Sequence, residues 1–297
     1  MTARLTRRPG GPARLRRLLE SGRTIVAPGA FDPLAARLVE EAGFPAVYMT
    51  GFGTSAALLG RPDVGLLTMT EMADNAARIA ACVDIPVIAD ADTGYGNPIN
   101  VIRTVREYEA AGVAAIHLED QVMPKKCGHL EGKELVPARE MAAKVEAAVA
   151  ARRSPDFLII ARTDARAVEG LDAALERARM YAEAGADGLF VEAPQSEAEI
   201  EAVARAFPDV PLLFNYAEGG KTPAVGYDRL RSLGFSIVIF PLTLLFVATQ
   251  AMRAALARVK ADGTPIDLLP SLLPFDEFVS FIGVPEMREL ELRFAQE

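Results

Sequence analysis

The sequence predicts a (β/α)₈ TIM-type barrel, an α/β fold in which eight parallel strands alternate with helices around a closed sheet. Three observations support this: eight short apolar segments recur along the 297 residues, amphipathic stretches lie between them, and glycines end those stretches. A doubly wound open sheet is the alternative architecture for the same alternation. No linker or change of composition divides the chain, so we expect one domain over residues 1–297.

The strand candidates are apolar runs of four or five residues that are rich in β-branched side chains. Near-continuous hydrophobicity over this length is typical of strands buried on both faces of a parallel sheet. The runs lie at residues 24–27, 46–49, 86–89, 114–118, 157–161, 188–191, 211–214 and 236–240.

The segments between the strands have helical periodicity. Within residues 137–152, for example, Met141, Val145 and Val149 recur every four positions, as on the buried face of a helix. Four helical stretches end in a glycine just before the next strand, which releases the chain into a tight turn; these are Gly43, Gly112, Gly185 and Gly234. After residue 260, four prolines break the rhythm, and we predict a C-terminal helical extension over residues 261–297.

Composition and charge exclude several classes of function. A net charge of −8 makes nucleic acid an improbable partner, and the basic residues between positions 4 and 17 are interpreted as a solvated, partly frayed N-terminus. The longest apolar run, 235–248, is interrupted and shorter than the roughly 20 residues of a membrane span. No apolar signal segment is evident, and the two cysteines form no disulfide framework. We therefore expect a cytoplasmic protein without a membrane partner.

Polar side chains follow five successive predicted strands, at the end of a barrel where active sites are built. Packing alone does not explain this pattern, which predicts an active site for a small-molecule substrate. The residues are Asp90 and Asp92 after the third strand, Glu119 after the fourth, Arg162 and Asp164 after the fifth, Glu192 after the sixth and Asn215 after the seventh.

The acidic residues in this set suggest a metal site. Asp90 and Asp92 are separated by one residue, so both carboxylates face the same side of an extended strand end, where Glu119 and Asp63 can reach them. Clustered carboxylates repel unless a cation sits among them, and such hard ligands suit Mg²⁺, with Mn²⁺ as an alternative. In the competing interpretation, one aspartate caps the helix that follows and the other pairs with a lysine.

Residues 124–133 are polar, contain two glycines and show no apolar periodicity, so we predict a mobile loop that closes over the barrel mouth. Cys127 in this loop stands beside Lys125, Lys126 and His129, whose charges are expected to lower the pKa of its thiol. A small buried thiol and a structural zinc ligand are the alternatives for Cys127, although a second ligand pair for zinc is lacking.

Other groups near the mouth are interpreted more simply. Arg162 and Asn215 are expected to bind a substrate carboxylate, because the guanidinium fork matches that geometry. The backbone N–H groups of residues 50–53 could bind an oxyanion. His117, within the fourth strand, is expected to be a core or subunit-contact residue, and Cys82 a buried small side chain.

Three motifs together resemble the isocitrate lyase/phosphoenolpyruvate mutase superfamily: DADTGYG at 90–96, EDQ at 119–121 and KKCGH at 125–129. The resemblance implies a (β/α)₈ barrel, Mg²⁺ and a homotetramer in which C-terminal helices are exchanged between subunits. The segment 128–133 is similar to the branch that contains dimethylmalate lyase and carboxyphosphonoenolpyruvate phosphonomutase.

The resemblance also implies a role for each matching position. The residues assigned to catalysis are Cys127, Tyr48, Glu119 and His129. Those assigned to substrate binding are Thr50, Gly51, Phe52, Gly128, Arg162, Glu192 and Asn215. Those assigned to the metal are Asp90, Asp92 and Asp63.

One departure from the family pattern bears on the substrate. Methylisocitrate lyases have an arginine in the segment after the eighth strand, which binds a third carboxylate, whereas Phe246 occupies the equivalent place here. Because an apolar ring cannot compensate a buried carboxylate, we expect a smaller or more apolar substrate.

The resulting prediction is a Mg²⁺-dependent lyase that cleaves a carbon–carbon bond of a 2-alkylmalate such as 2,3-dimethylmalate. The products would be a 2-keto acid and a carboxylate, and Cys127 would protonate the departing carbanion. The alternatives are a carboxyphosphonoenolpyruvate phosphonomutase or an oxaloacetate-type hydrolase or decarboxylase, then a methylisocitrate lyase, and finally an inactive barrel that acts as a binding protein.

Overall fold

The computed structural model describes residues 11–295. This part of the chain divides into two compact units, residues 11–244 and residues 245–295, and each is described by itself.

The first unit is a (β/α)₈ barrel, as predicted. Its strands are β1 (Ile25–Ala30), β2 (Val47–Met49), β3 (Val87–Asp90), β4 (Ala115–Glu119), β5 (Leu158–Thr163), β6 (Gly188–Val191), β7 (Leu213–Asn215) and β8 (Ile237–Phe240). They are parallel, in the order β6-β5-β4-β3-β2-β1-β8-β7. A parallel bridge between Leu189 and Leu212 joins β6 to the segment before β7 and closes the ring, so the doubly wound alternative is wrong.

One helix precedes the first strand, and the other helices of this unit connect consecutive strands around the outside of the barrel. They are α1 (Gly11–Glu20), α2 (Pro33–Glu41), α3 (Gly51–Leu59), α4 (Met69–Cys82), α5 (Pro98–Ala110), α6 (Ala138–Ala151), α7 (Ala165–Val168), α8 (Leu171–Glu183), α9 (Glu197–Ala206) and α10 (Tyr227–Ser232). The four predicted helix-ending glycines have φ angles between 84° and 99°, which confirms that each one occupies a left-handed turn.

Helix α1 packs against the amino ends of the strands. Its Leu15 has no exposed surface and clusters with Ile25 and Ile237, the first residues of β1 and β8. Arg16 lies 3.2 Å from Asp187. The expectation of a frayed basic N-terminus is therefore wrong for residues 11–17, because they form a docked helix; residues 4–10 lie outside the described part of the chain.

The second unit is helical. Helix α11 (Thr243–Asp262) begins with the last two residues of the barrel unit and continues into the second unit. It is followed by a 3₁₀-helix (Ile266–Ser271), α12 (Phe275–Phe281) and α13 (Val284–Phe294). Helix α11 has no fully buried residue, and Leu256, Phe275 and Leu292 are 68%, 79% and 80% exposed. Within residues 11–295, no helix is both long and apolar enough to cross a membrane.

Candidate active site

A cavity opens at the carboxyl ends of the strands and brings together most of the predicted site residues. Its empty volume, counted out to open solvent, is about 380 Å³. The lining consists of Tyr48, Thr50, Gly51, Phe52, Asp63, Asp90, Cys127, Gly128, His129, Arg162, Glu192, Asn215, Ala217, Pro241 and Leu242. The two remaining predicted residues are buried and each contacts a lining residue: Glu119 lies 3.2 Å from Arg162, and Asp92 N–H donates to Asp90 Oδ1.

On one side of the cavity, Lys125 from the loop binds the aspartates. Lys125 Nζ lies 2.6 Å from Asp63 Oδ1 and 2.7 Å from Asp92 Oδ1, and only 2% of its side chain is exposed. A lysine therefore neutralises two of the carboxylates, as the competing interpretation of the aspartates proposed. The other half of that interpretation is wrong, because Asn97 and not an aspartate caps α5.

The two aspartates of the DADTGYG motif differ in their pKa values. Burial raises the pKa of Asp92 to about 6, against the opposing effect of Lys125. Burial also acts to raise the pKa of Asp90, but the positive groups around it outweigh burial and hold that pKa below its ordinary value. At neutral pH these groups are Lys125 and Arg162, because His117 is then neutral. Asp90, which lines the cavity, is thus the carboxylate best suited to remain ionised.

The donors around Asp90 fit a hard divalent cation in their chemistry. Asp63, Asp90 and Asp92 supply carboxylate oxygens, which Mg²⁺ prefers. Both oxygens of the buried Glu119 carboxylate accept no hydrogen bond, so they can still accept one from a metal-bound water. No cluster of three or more His, Cys, Asp or Glu is arranged as a finished metal site within residues 11–295, since Lys125 occupies the space between Asp63 and Asp92.

The start of α3 shapes the opposite wall. Thr50 caps this helix by accepting a hydrogen bond of 3.2 Å from Gly53 N–H, so the first amides of α3 lie beside the cavity. A Cβ atom at Gly51 would collide with Asp90 Oδ2, and therefore only glycine permits this close approach. The expectation that residues 50–53 present backbone donors agrees with a helix N-terminus here.

Arg162, at the end of β5, is surrounded by acidic groups. Its Nε and Nη2 donate to the two oxygens of Asp164 at 2.9 and 3.1 Å, and its Nη1 lies 3.2 Å from Glu119 Oε2. Burial raises the pKa of Glu119 well above its ordinary value, although Arg162 acts to lower it. Burial acts to lower the pKa of Arg162, but Asp164 and the other acidic neighbours outweigh burial and raise that pKa, so Arg162 keeps its positive charge in the wall of the cavity.

Glu192 links three segments at the far side of the mouth. Asn215 donates to both of its oxygens at 3.2 Å, and His129 Nε2 lies 3.0 Å from Oε1. Burial acts to raise the pKa of Glu192, but Arg162 and His129 lower it further, so the carboxylate is ionised. His129 Nδ1 accepts a hydrogen bond of 3.0 Å from Lys221 N–H, so the ring is held with Nε2 facing Glu192.

The loop with Cys127 lies against the mouth. Cys127 N–H donates to the Asp63 carbonyl at 3.2 Å, and Gly128 lies so close to Arg162 and Glu192 that a Cβ atom would collide with both. The expected lowering of the thiol pKa is wrong for this arrangement: burial raises the pKa of Cys127 to about 11. The lysines do not offset burial, because Lys125 binds the aspartates and Lys126 Nζ donates to the Gly132 carbonyl.

Tyr48 and His117 form a buried pair beneath the cavity. The Tyr48 hydroxyl lies 2.9 Å from His117 Nε2, and burial raises the Tyr48 pKa well above its ordinary value. His117 has no exposed surface, and burial lowers its pKa to about 4. The placement of His117 in the core agrees with the sequence-based expectation. Cys82 is partly buried at the end of α4, and its thiol donates to two backbone carbonyls.

Sequence reasoning missed several groups around the mouth. Ala217 lines the cavity, and Lys133 at the end of the loop lies 3.0 Å from Asp164 with only 2% of its side chain exposed. A buried lysine in a polar loop has no local sequence signal, whereas Asp164 did follow from its place at a strand end.

Comparisons with known proteins agree with the fold. The family model for phosphoenolpyruvate phosphomutase matches residues 15–260. The 2,3-dimethylmalate lyase of Eubacterium barkeri is 50% identical over 283 residues, covering 95% of this chain and 98% of that protein. The probable 2-methylisocitrate lyase 1 of Corynebacterium glutamicum is 52% identical over 237 residues, covering 80% and 77% respectively.

Among solved structures, a phosphonopyruvate hydrolase in complex with oxalate and Mg²⁺ superposes with a TM-score of 0.87 at 36% identity. The match covers 96% of this chain and 99% of that one. The chain therefore belongs to the isocitrate lyase/phosphoenolpyruvate mutase superfamily, as its motifs indicated.

Proposed function

We propose that this chain is a divalent-metal-dependent lyase that cleaves the C2–C3 bond of a 2-alkylmalate, with 2,3-dimethylmalate as the model substrate. The observation that carries the proposal is the convergence of Asp90, Arg162 and the Cys127 thiol on one cavity. Relatives named 2,3-dimethylmalate lyase and 2-methylisocitrate lyase support carbon–carbon cleavage.

The residues of the cavity divide into binding and proton-transfer groups. Arg162 and the first amides of α3 would hold the carboxylate of the 2-hydroxy acid portion, because both present N–H donors to the cavity. Asp90 would hold Mg²⁺, assisted by Asp92, Asp63 and Glu119 once Lys125 has withdrawn. When bound, this ion supplies positive charge that stabilises the oxygen at C2 as the bond breaks.

Cys127 is suited to the role of general acid. A thiol whose pKa is raised to about 11 is protonated at neutral pH, which is the state that a proton donor requires. As a basic group in the mouth takes the proton of the C2 hydroxyl, the C2–C3 bond would break and leave negative charge on C3 of the departing fragment, and Cys127 Sγ–H would deliver its proton there. The loop over the mouth, which the contact of Lys133 with Asp164 can hold closed, would meanwhile exclude water from the carbanion.

The apolar part of the lining supports an alkylated substrate. Phe52, Ala217, Pro241 and Leu242 offer no charged partner for a third carboxylate, whereas they can pack against methyl groups. Phe246 belongs to the second unit, so its predicted role in the choice of substrate stays a prediction.

The test is an activity screen with Mg²⁺ across 2,3-dimethylmalate, methylisocitrate, oxaloacetate and phosphonopyruvate. We expect 2-keto acid release from dimethylmalate, and loss of this activity in Cys127→Ser with unchanged Mg²⁺ binding by calorimetry. Cys82→Ser is the matched control, because Cys82 ends α4, does not line the cavity, and has a thiol that donates to backbone carbonyls, which a hydroxyl can also do. Full turnover by Cys127→Ser would refute the role of the thiol.

A second candidate function is chemistry on a phosphonate. The description of the matching family model and the phosphonopyruvate hydrolase structure favour it. Turnover of phosphonopyruvate without cleavage of any malate would replace the lyase proposal.

We further propose a homotetramer in which the helical unit packs on neighbouring subunits. Its exposed side chains, including Leu256, Phe275 and Leu292, form more apolar surface than an isolated subunit would leave in water. Light scattering should give four times the subunit mass of 31.8 kDa, and a monomer at micromolar concentration would contradict it. A cytoplasmic location stays a prediction, supported by the fact that neither cysteine forms a disulfide.

A further inference from the structure

A single carboxylate, that of Asp164, holds two cations from different parts of the site. Its Oδ1 lies 3.0 Å from Lys133 Nζ and accepts a hydrogen bond of 3.1 Å from Arg162 Nη2. Its Oδ2 accepts a bond of 2.9 Å from Arg162 Nε. Asp164 has no exposed surface. Since Lys133 ends the loop and Arg162 lines the cavity, this carboxylate joins the loop to the mouth.

Hydrogen bonds to the buried Asp120 fix the position of Asp164. Its N–H donates to Asp120 Oδ1 at 2.9 Å, and Asp120 Oδ2 accepts from Thr163 at 2.7 Å and from Tyr181 at 2.8 Å. Asp120 is fully buried and also lies 3.4 Å from Arg177. A carboxylate held so firmly cannot follow the loop outward, so Lys133 and Asp164 separate when the loop opens.

Lys133 also acts on the part of the loop that carries the thiol. Its ammonium donates to the carbonyl of Gly128, which follows Cys127 and lies directly over Arg162. One buried lysine therefore ties together the turn with the thiol and the carboxylate that orients the arginine.

We propose that Asp164 is a positioning residue that couples closure of the loop 124–133 to the orientation of Arg162. With the loop closed, Lys133 and Arg162 share the carboxylate, and Arg162 is held with Nη1 turned away from Asp164 toward Glu119. With the loop open, Asp164 loses Lys133 and Arg162 loses the Gly128 backbone above it. Coupling of this kind is reciprocal, so an anion bound by Arg162 favours the closed loop.

The experiment uses the full chain with Mg²⁺ and oxalate as the probe. Calorimetry measures oxalate binding, and hydrogen exchange follows residues 124–133. Oxalate should slow exchange of the loop in the unmodified protein. We expect Lys133→Met to speed loop exchange and to raise the Kd for oxalate about tenfold. Asp164→Asn should do the same. In the double variant, the Kd for oxalate and the rate of loop exchange should be no higher than in Asp164→Asn alone. Both substitutions break the same contact between Lys133 and Asp164.

Two results would overturn the proposal: a Kd unchanged in Lys133→Met, or effects of the two substitutions that simply multiply. If Asp164→Asn fails to fold, Lys133→Met still decides, because Lys133 lies on a loop and not in a strand. Glu199→Gln is the control, since it removes an equally close carboxylate partner of Arg166 away from the cavity and should change neither readout.

The inference rests on the proposed function only in taking Arg162 as the group that binds an anion. Failure of the unmodified protein to bind oxalate would count against the proposed function. In that case the exchange measurements still test the contact between Lys133 and Asp164, because non-additive effects of the two substitutions on loop exchange can be measured without oxalate.

Discussion

Gly128 offers a direct test of loop closure, because its backbone lies against Arg162 and Glu192 in the wall of the cavity. A Cβ atom placed there lies 2.6 Å from Arg162 Nη2 and closer still to Glu192 Oε1. Neither side chain moves away easily, since Asp164 holds Arg162 with two hydrogen bonds and Asn215 donates twice to Glu192. Overpacking of this kind costs about 1–3 kcal/mol.

For Gly128→Ala, this cost falls on the closed loop and not on the barrel, because the loop can open to relieve the collision. We therefore expect kcat/KM for 2,3-dimethylmalate to fall roughly 5- to 150-fold, the equivalent of that free energy. Loop amides should exchange faster, while the midpoint of thermal unfolding changes little. The assay is steady-state release of the 2-keto acid, with hydrogen exchange as the independent readout.

Gly226→Ala is the matched control for that substitution. A Cβ atom at Gly226 meets nothing within 4 Å, and its φ angle of −66° suits alanine. Activity and loop exchange like those of the unmodified protein in Gly128→Ala would refute the inference that the closed loop is the active one.

The remaining predictions concern charge. Lys125→Met leaves Asp63 and Asp92 without their cation, so the metal-free protein should unfold at a lower temperature. Calorimetry should show tighter Mg²⁺ binding, because the ammonium that competes with the metal is gone. Weaker Mg²⁺ binding would contradict this prediction. His117 should remain neutral down to about pH 4 in a nuclear magnetic resonance titration of the metal-free protein, and a midpoint near 6.5 would show that burial does not control it. Because its folded pKa is lowered, the stability that His117 contributes is present above pH 6.5 and lost as pH falls toward 4. The unfolding free energy of the unmodified protein, relative to His117→Asn, should then drop by about 3 kcal/mol across that window.

The strands were predictable because burial on both faces leaves a mark on every residue of a strand. The residues at which each strand ends were less predictable, because pairing with the neighbouring strands determines them. The run 24–27 ends before Pro28, yet β1 continues to Ala30, since Pro28 pairs with Phe240 on one side and Ala30 with Met49 on the other. Such pairing depends on residues far along the chain, which no local pattern contains.

The site shows the same division between local and distant information. Asp90, Arg162 and Asn215 were found because strand ends meet at one edge of a barrel. The pairing of Lys125 with Asp63 was not predicted, because Asp63 is 62 residues away in the sequence. The error about the Cys127 pKa has the same origin. Lysines that are adjacent in sequence lower the pKa of a thiol only if their ammonium groups lie close to its sulfur.

The loop carries positive charge into an acidic mouth, and this has a consequence for the order in which ligands arrive. When the loop opens, Lys125 and Lys133 leave with it, and Arg162 faces the acidic groups of the mouth without them. A dianionic substrate would then be repelled unless a divalent cation had already entered. We expect obligatory addition of the metal before the substrate, which initial-rate kinetics with both concentrations varied would reveal.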